Sequence, residues 1–361
     1  MTFDGLFTHA MIHELNKTLQ NGRVTKISQP YPNEVILTIR ANRTNYPVLL
    51  SANPRYARFQ ITQIPYTNPA VPTNFTMMLR KYLEGAKLLE IKQLDNDRVV
   101  YFEFLTRNEL GDKLPLLLSA EIMGRYSNVI LINQSTNKII DTIKHVGMDQ
   151  NRYRTLLPGA TYRQPPTQYK ENPFEQESNT FEELIQKYPN REVLADSLLK
   201  QYQGISRDNA LALADKLHSS NNYVQAFNDF LAMTENPIPT MNSNNFSIFT
   251  DNPNDKKFST LSEMLDVFYH TKANRDRVQQ QGGQLLHVIR KNLQRNKKKL
   301  KKLSNELKAT ENADEYRIKG EVLTTYLYQI KRGMTKITLP NFYDNNKEIT
   351  ISLSNQLSPS Q

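Results

Sequence analysis

Asp97-Arg98 and, one strand-length later, Glu121-Ile122-Met123-Gly124-Arg125 are the residues whose types and spacing suggest chemistry. Each cluster adjoins strand-forming sequence, RVVYFEFL after the first and NVILI after the second. Arg98 can present a planar guanidinium fork to an anion, with the Asp97 carboxylate orienting it. Gly124 would allow a bulge that projects Met123 and Arg125 from the strand. The competing reading of both clusters is solvated charge at a turn, or a core strand with a bulge. A third cluster is the cationic run Arg290, Lys291, Arg295, Lys297, Lys298, Lys299, Lys301 and Lys302. On a rigid helix such a run suits nucleic-acid phosphates, because neutralising them releases counterions. It could also be a solvated face. Arg80 and Lys81 carry the same two readings. The six histidines show no ligand spacing with acids, and His9/His13 lack a third partner. Phosphate-cradling glycine loops and nucleophile elbows are absent from the sequence. No catalytic residue, metal site or cofactor is expected.

The elements that must position these residues are legible from periodicity. A first helix from Asp4 to Gln20 carries Leu6, Phe7, Ala10, Met11, Leu15 and Leu19 on one stripe. Strand-like runs follow, separated by turns: VTKIS, EVILTIR, PVLLSA, ARFQIT, KLLEIKQL, RVVYFEFL, PLLLSAEI, NVILI and KIIDTIK. A second helix spans about Thr73 to Glu84. Together these predict an antiparallel, β-rich α+β domain over residues 1–170, closed by the proline-rich TYRQPPTQYKENP. Helical spacing takes over in 171–233. There Gly204-Ile205-Ser206 suggests a helix-hairpin-helix turn, which either presents amides to phosphate or serves packing. Residues 234–284 read as a linker, a loop or small β segment through NPIPTMNSNNFSIFTDNPNDKK, leading into a helix from about Ser259. From Leu286 the period is seven, with Leu286, Leu293, Leu300 and Leu307 at one seam position and Ile289, Asn296 and Leu303 at the other. The coiled-coil arm, a helix over 314–330 and a small hairpin (KITLP, EITISL) complete 285–361. That seam needs a partner helix. No later segment returns to supply one, so a truncated chain with an unpaired arm is expected.

Charge is unevenly distributed. Residues 1–170 hold 21 Lys and Arg against 13 Asp and Glu, whereas 171–284 hold 10 against 16. Residues 285–308 hold 9 against 1. Two basic regions around an acidic middle point to a polyanion touched in two places, such as a large RNA. Zero cysteines exclude disulfides and thiolate metal sites. No apolar run is long enough to span a bilayer, and no secretory leader is visible, so a cytoplasmic protein without membrane contact is expected.

Seven ordered blocks carry a family resemblance: MTFDGLFTHAMIHEL, SANPRYARFQIT, NFTMMLRKYLEGA, DRVVYFEF, EIMGRYSNVIL, IKHVG and NRYRTLLPGATY. They closely resemble the NFACT-N domain of the NFACT family of ribosome-associated quality-control factors. The match is strong over about the first 170 residues and weaker beyond. The resemblance implies transfer-RNA contact by Asp97 and Arg98, and by Glu121, Ile122, Met123, Gly124 and Arg125 at the same interface. It implies ribosomal-RNA contact by the basic coil. It further implies a factor that binds large ribosomal subunits obstructed by peptidyl-tRNA, recruits alanyl-tRNA and supports untemplated alanine tailing, with peptidyl transfer left to the ribosome. Family members continue with a returning helix and a C-terminal RNA-binding domain. The family's fold is similar to the N-terminal domain of formamidopyrimidine-type DNA glycosylases. Those use an N-terminal proline and glutamate, where this chain has Met1-Thr2-Phe3. Family members also carry the name fibronectin-binding protein, which makes a surface adhesin the alternative. A generic RNA-binding or repair module is a further one.

Overall fold

Successive runs of β-branched and aromatic residues in the first 142 residues produce one nine-stranded sheet. The elements are α1 (Gly5–Leu19), β1 (Arg23–Tyr31), β2 (Glu34–Ala41), β3 (Thr44–Ser51), β4 (Arg58–Ile61) and α2 (Asn74–Leu83). They continue as β5 (Lys87–Gln93), β6 (Val99–Arg107), β7 (Lys113–Glu121), β8 (Asn128–Asn133) and β9 (Lys138–Thr142). The strand order is β4-β3-β2-β1-β5-β6-β7-β8-β9, antiparallel throughout. This computed structural model describes residues 3–176, 179–249, 252–310 and 312–361, so Met1 and Thr2 lie outside the described residues.

β1 meets β5 through the single pair Arg23↔Lys87, and there the sheet divides into two halves. Their apolar faces close on one core with α1, combining Phe7, Met11, Val24, Leu37, Phe59, Phe102 and Leu118. Phe59 of β4 and Phe102 of β6 meet edge to face at 6.3 Å, which ties the halves together. The mixed α+β class expected from the sequence is the observed one.

Four helices follow: α3 (Thr180–Lys187), α4 (Arg191–Gln201), α5 (Arg207–His218) and α6 (Tyr223–Ala232). They enclose their own core of Phe181, Leu194, Leu198, Leu213, Phe227 and Phe230, into which α1 inserts Leu6. Of the two readings for residues 234–260, the small β segment is the observed one. A three-stranded sheet of β10 (Thr240–Met241), β11 (Phe246–Ser247) and β12 (Lys256–Lys257) leads into α7 (Leu261–Thr310), and it packs on the main core where a linker was expected. Phe246, Ile248, Leu261, Met264, Leu265 and Tyr269 all enter the main core. Two-residue strands are too short to show alternation, which hid this packing from the sequence. Glu14 of α1 also caps the start of α7, accepting from the Leu261 and Ser262 amides at 2.6 and 3.1 Å.

The chain divides into two compact units, Met1–Arg277 and Val278–Gln361. In the second, α8 (Ala313–Thr325) ends in a 3-10 turn at Leu327–Gln329, shorter than the expected helix over 314–330. It packs on the hairpin of β13 (Lys336–Asn341) and β14 (Lys347–Ser352), around Val322, Leu339 and Ile351. The seam residues of α7 remain uncovered among the described residues: Leu286, Ile289, Leu293, Leu300, Leu303 and Leu307 are 43–70% exposed.

Candidate functional site

The two charged clusters, 24 positions apart in sequence, meet in space. Val99 of β6 pairs with Glu121 of β7, and the Ile122 amide donates to the Arg98 carbonyl at 2.8 Å. Arg98 thereby sits just before β6 begins, bonded to Ile122 just after β7 ends. Residues 122–127 form the next turn along that edge.

The turn carrying Asp97 and Arg98 is braced rather than free. Asp95 takes a left-handed φ of +48°, and the Asp97 amide donates to the Leu94 carbonyl at 2.9 Å. Gln93 Nε2 donates to the carbonyls of Asp97 and Gly5, at 2.8 and 2.9 Å. The Asp97 carboxylate accepts the Arg98 amide at 2.7 Å, so it shapes the backbone and does not grip the guanidinium as expected. Both side chains are half-exposed, and the Arg98 guanidinium meets no carboxylate among the described residues. A fork held on a fixed backbone with its donors uncommitted can take a phosphate.

Residues 121–125 divide by burial. Glu121 and Ile122 are enclosed, Met123 and Gly124 are half-exposed, and Arg125 is exposed. The expected bulge is instead a 3-10 turn at Gly124–Tyr126, after β7 has ended. Gly124 sits at φ +58°, and that conformation is what calls for glycine, since a Cβ would meet the Pro54 carbonyl only at 3.8 Å. The turn is fixed by the Met123 amide donating to Ser127 Oγ at 2.8 Å. It displays Arg125 with its guanidinium 4.6 Å above the Tyr126 ring.

Glu121 looks the other way, beneath a strap of residues 152–167. Arg154 makes a two-pronged ion pair with it, one bond being Nη1 to Oε1 at 2.8 Å. The Tyr162 hydroxyl donates to Glu121 Oε1 at 3.1 Å. Burial alone would lower the Arg154 pKa, but the Glu121 carboxylate outweighs it and the net shift is upward. Burial, then the Glu121 charge, raises the Tyr162 hydroxyl. Glu121 is therefore a positioning residue, and a solvent-facing contact by Glu121 or Ile122 is ruled out by their burial in this conformation. The 33-residue gap between Glu121 and Arg154 left no local sign of the pair.

The glycine turn between α4 and α5 also faces inward. The Gly5 amide donates to the Gly204 carbonyl at 2.8 Å, and Asn96 Nδ2 donates to the Gln203 carbonyl at 2.7 Å. A Cβ on Gly204 would lie 1.7 Å from the Asn96 carbonyl oxygen, and its φ is +69°. Asp4 completes the junction. Its Oδ1 accepts the Phe7 amide at 2.9 Å, while Oδ2 accepts the Ser206 amide at 2.8 Å and Asn209 Nδ2 at 2.6 Å. A carboxylate of the chain itself thus occupies the place at which such turns usually receive phosphate. Burial raises the Asp4 pKa against the opposing pull of these donors. Asp4→Asn would turn an amide donor toward two donors. A loss of about 1–3 kcal/mol is expected, read as a lower urea midpoint.

Elsewhere, His9 Nδ1 lies 3.2 Å from Gln93 Oε1 and its ring stacks on Phe174 at 4.1 Å. His145 Nε2 lies 2.8 Å from Asp141 Oδ1. Among the described residues no His, Asp or Glu cluster has the make-up of a metal site. Arg80 is tied to the Ile27 carbonyl at 3.0 and 3.1 Å, which limits it as an RNA contact. In the second unit, all eight cations from Arg290 to Lys302 are exposed on α7. Among the described residues, Lys302 alone of these eight pairs with an acid, Glu306 at 3.6 Å. No helix among the described residues is long and apolar enough to cross a membrane.

This split sheet, its inward-facing hairpin turn and its exposed basic helix define the chain as a member of the NFACT family: the NFACT N-terminal and middle domains match residues 4–361. Among its relatives, the Rqc2 homolog RqcH of Streptococcus pneumoniae serotype 2 is 43% identical over 361 residues, covering all of this chain and 64% of the relative. The Bacillus subtilis protein of the same name is 38% identical over 374 residues, covering all of this chain and 65% of the relative. The chain thus spans just under two thirds of the length of these curated relatives. The N-terminal structure of the fibronectin/fibrinogen-binding protein from Streptococcus suis superposes with a TM-score of 0.69 at 40% identity, covering 75% of this chain and all of that one. The fibrinogen-binding protein from Staphylococcus aureus gives 0.60 at 32% identity, covering 74% of this chain and 99% of that one.

Proposed function

We propose that this chain serves ribosome-associated quality control, binding large ribosomal subunits that carry peptidyl-tRNA and recruiting alanyl-tRNA for untemplated C-terminal alanine tailing. The observation that carries this reading is the single edge on which Arg98, Met123 and Arg125 lie together, held by the Ile122–Arg98 hydrogen bond. Arg98 takes a transfer-RNA phosphate as a fork, and the Arg125–Tyr126 pair offers a stacking platform beside it. Asp97, Glu121, Ile122 and Gly124 hold that edge in shape. The exposed cations of α7 contact ribosomal RNA. The protein positions RNA, and the ribosome performs peptidyl transfer. Curated relatives named as Rqc2 homologs support the reading.

Replacing Lys297, Lys298, Lys299, Lys301 and Lys302 with Gln tests the ribosomal-RNA interface. Affinity for large subunits is expected to fall, and the slope of log K against log salt to shrink by roughly 0.7–0.9 for each phosphate no longer neutralised. An unchanged slope would mean that these lysines only solvate the helix.

A second reading, a surface-associated fibronectin- or fibrinogen-binding adhesin, is favoured by the names of the solved neighbours. Protease treatment of intact cells separates the two. Cleavage of this protein at the cell surface supports the adhesin, and protection supports the ribosomal reading.

A further inference from the structure

The strap that Arg154 ties to Glu121 lines one side of an open pocket of about 610 Å³ on the outer face of β6, β7 and β8, and a second open pocket, of about 760 Å³, lies elsewhere. The larger is an apolar groove whose acids Glu14, Glu263 and Asp266 are already committed to α7, Ser259 and β4. The 610 Å³ pocket has different chemistry. Its wall and floor include Tyr101, Tyr153, Tyr162, Arg163, Glu103 and Gln134. Side chains on this face of β6 and β7 alternate with the core: Tyr101 and Glu103 point outward, whereas Val100, Phe102 and Phe104 point inward.

We infer that this cavity receives one unpaired base of a bound RNA, with preference for a base bearing an exocyclic amine. The inference rests on RNA being the partner of the neighbouring edge. Tyr101 lies three residues beyond Arg98, about 10 Å at strand rise, and the odd spacing turns it to the opposite face of the sheet. An RNA strand held at Arg98 therefore reaches the pocket by passing round the end of the sheet where β6 begins. Aromatic and guanidinium planes are the surfaces on which unstacked bases settle. Here Arg163 lies 3.8 Å over the Tyr153 ring and donates to the Tyr153 carbonyl at 3.1 Å, a preformed and exposed platform. The floor is fixed. Tyr101 and Tyr162 meet edge to face at 6.5 Å with their hydroxyls 3.3 Å apart, and Tyr162 is held in turn by Ser119 and Glu121. Glu103 has both oxygens on Lys92, at 3.2 and 3.1 Å, and keeps further lone pairs with which a carboxylate accepts from an amine such as that of cytosine. The volume falls in the range of small-ligand sites. Glu121 then serves both places, ending the strand beside Arg98 and fastening the cavity's strap.

The test uses the intact protein and fluorescein-labelled oligocytidylate or oligouridylate, read by anisotropy, with transfer-RNA binding measured alongside. Wild type is expected to prefer oligocytidylate. Tyr153→Ala should weaken that binding about tenfold, from the loss of one stacking surface. Tyr153→Phe should retain it, and Glu103→Gln should narrow the preference over oligouridylate. Oligocytidylate binding unchanged in Tyr153→Ala overturns the cavity assignment. If Arg98→Ala still loses transfer RNA in that case, the function proposed above stands without the cavity. Weaker oligonucleotide binding in Tyr153→Ala with full transfer-RNA binding in Arg98→Ala keeps the cavity and removes the transfer-RNA reading.

Discussion

Replacing Asp97 and Arg98 together with alanine is expected to reduce transfer-RNA affinity about 10- to 100-fold and to abolish alanine tailing. A charge-assisted bond is worth roughly 1.5–3 kcal/mol, and each 1.4 kcal/mol is a factor of ten in binding. The fold should survive. Both side chains are half-exposed, and Asp97 gives up only its bond to the adjacent amide. The turn itself is kept by Asn96, which is fully buried and bonded to the Gln203 carbonyl, and by the two Gln93 bonds. Thermal unfolding close to wild type, with transfer RNA missing from the purified protein, is the expected pair of results. Tailing at the wild-type level by the folded double variant would remove Asp97 and Arg98 from the interface.

Arg154→Ala is expected to have the largest effect on stability, about 3–5 kcal/mol. It strands the fully buried Glu121 carboxylate, leaving Tyr162 as the donor that remains to it. The combined change Glu121→Leu with Arg154→Met removes both charges and should recover much of that loss, since apolar groups of similar size often replace a buried pair at little cost. Denaturant titration of the two variants measures the difference. RNA binding should fall in Arg154→Ala although Arg154 is itself buried, because the strap and the end of β7 lose their common tie. Equal stability of Arg154→Ala and wild type would show that the pair does not hold the strap.

Much of the architecture was readable because it is local. VTKIS, EVILTIR and RVVYFEFL are rich in β-branched and aromatic residues, and each became a strand, the second and third within two residues of their expected ends and the first running three residues past its own. The helices at Gly5 and Asn74 follow from their apolar stripes and from capping by Asp4 and Thr73. What stayed hidden depends on residues far apart in sequence. Asp97 and Glu121 are both acids beside strands. Only the register of β6 on β7, together with a strap arriving 33 residues later, sends one outward and the other into the protein. Gly204 carried the local signature of a phosphate-binding turn. Its actual neighbour, Asp4, lies 202 residues from Ser206, so no window along the chain connects them. The same holds for Phe246 and Ile248, which look like loop residues until α7 and α1 enclose them.

The most direct test of the central claim is sucrose-gradient sedimentation of lysate from the cells that make this protein, probing each fraction for the protein and for transfer RNA. Wild-type protein is expected to migrate with large ribosomal subunits and transfer RNA. Arg98→Ala is expected to remain with the subunits while the transfer RNA in those fractions declines. Wild-type protein found wholly in the light fractions, away from the large subunits even when translation is stalled, would contradict the claim.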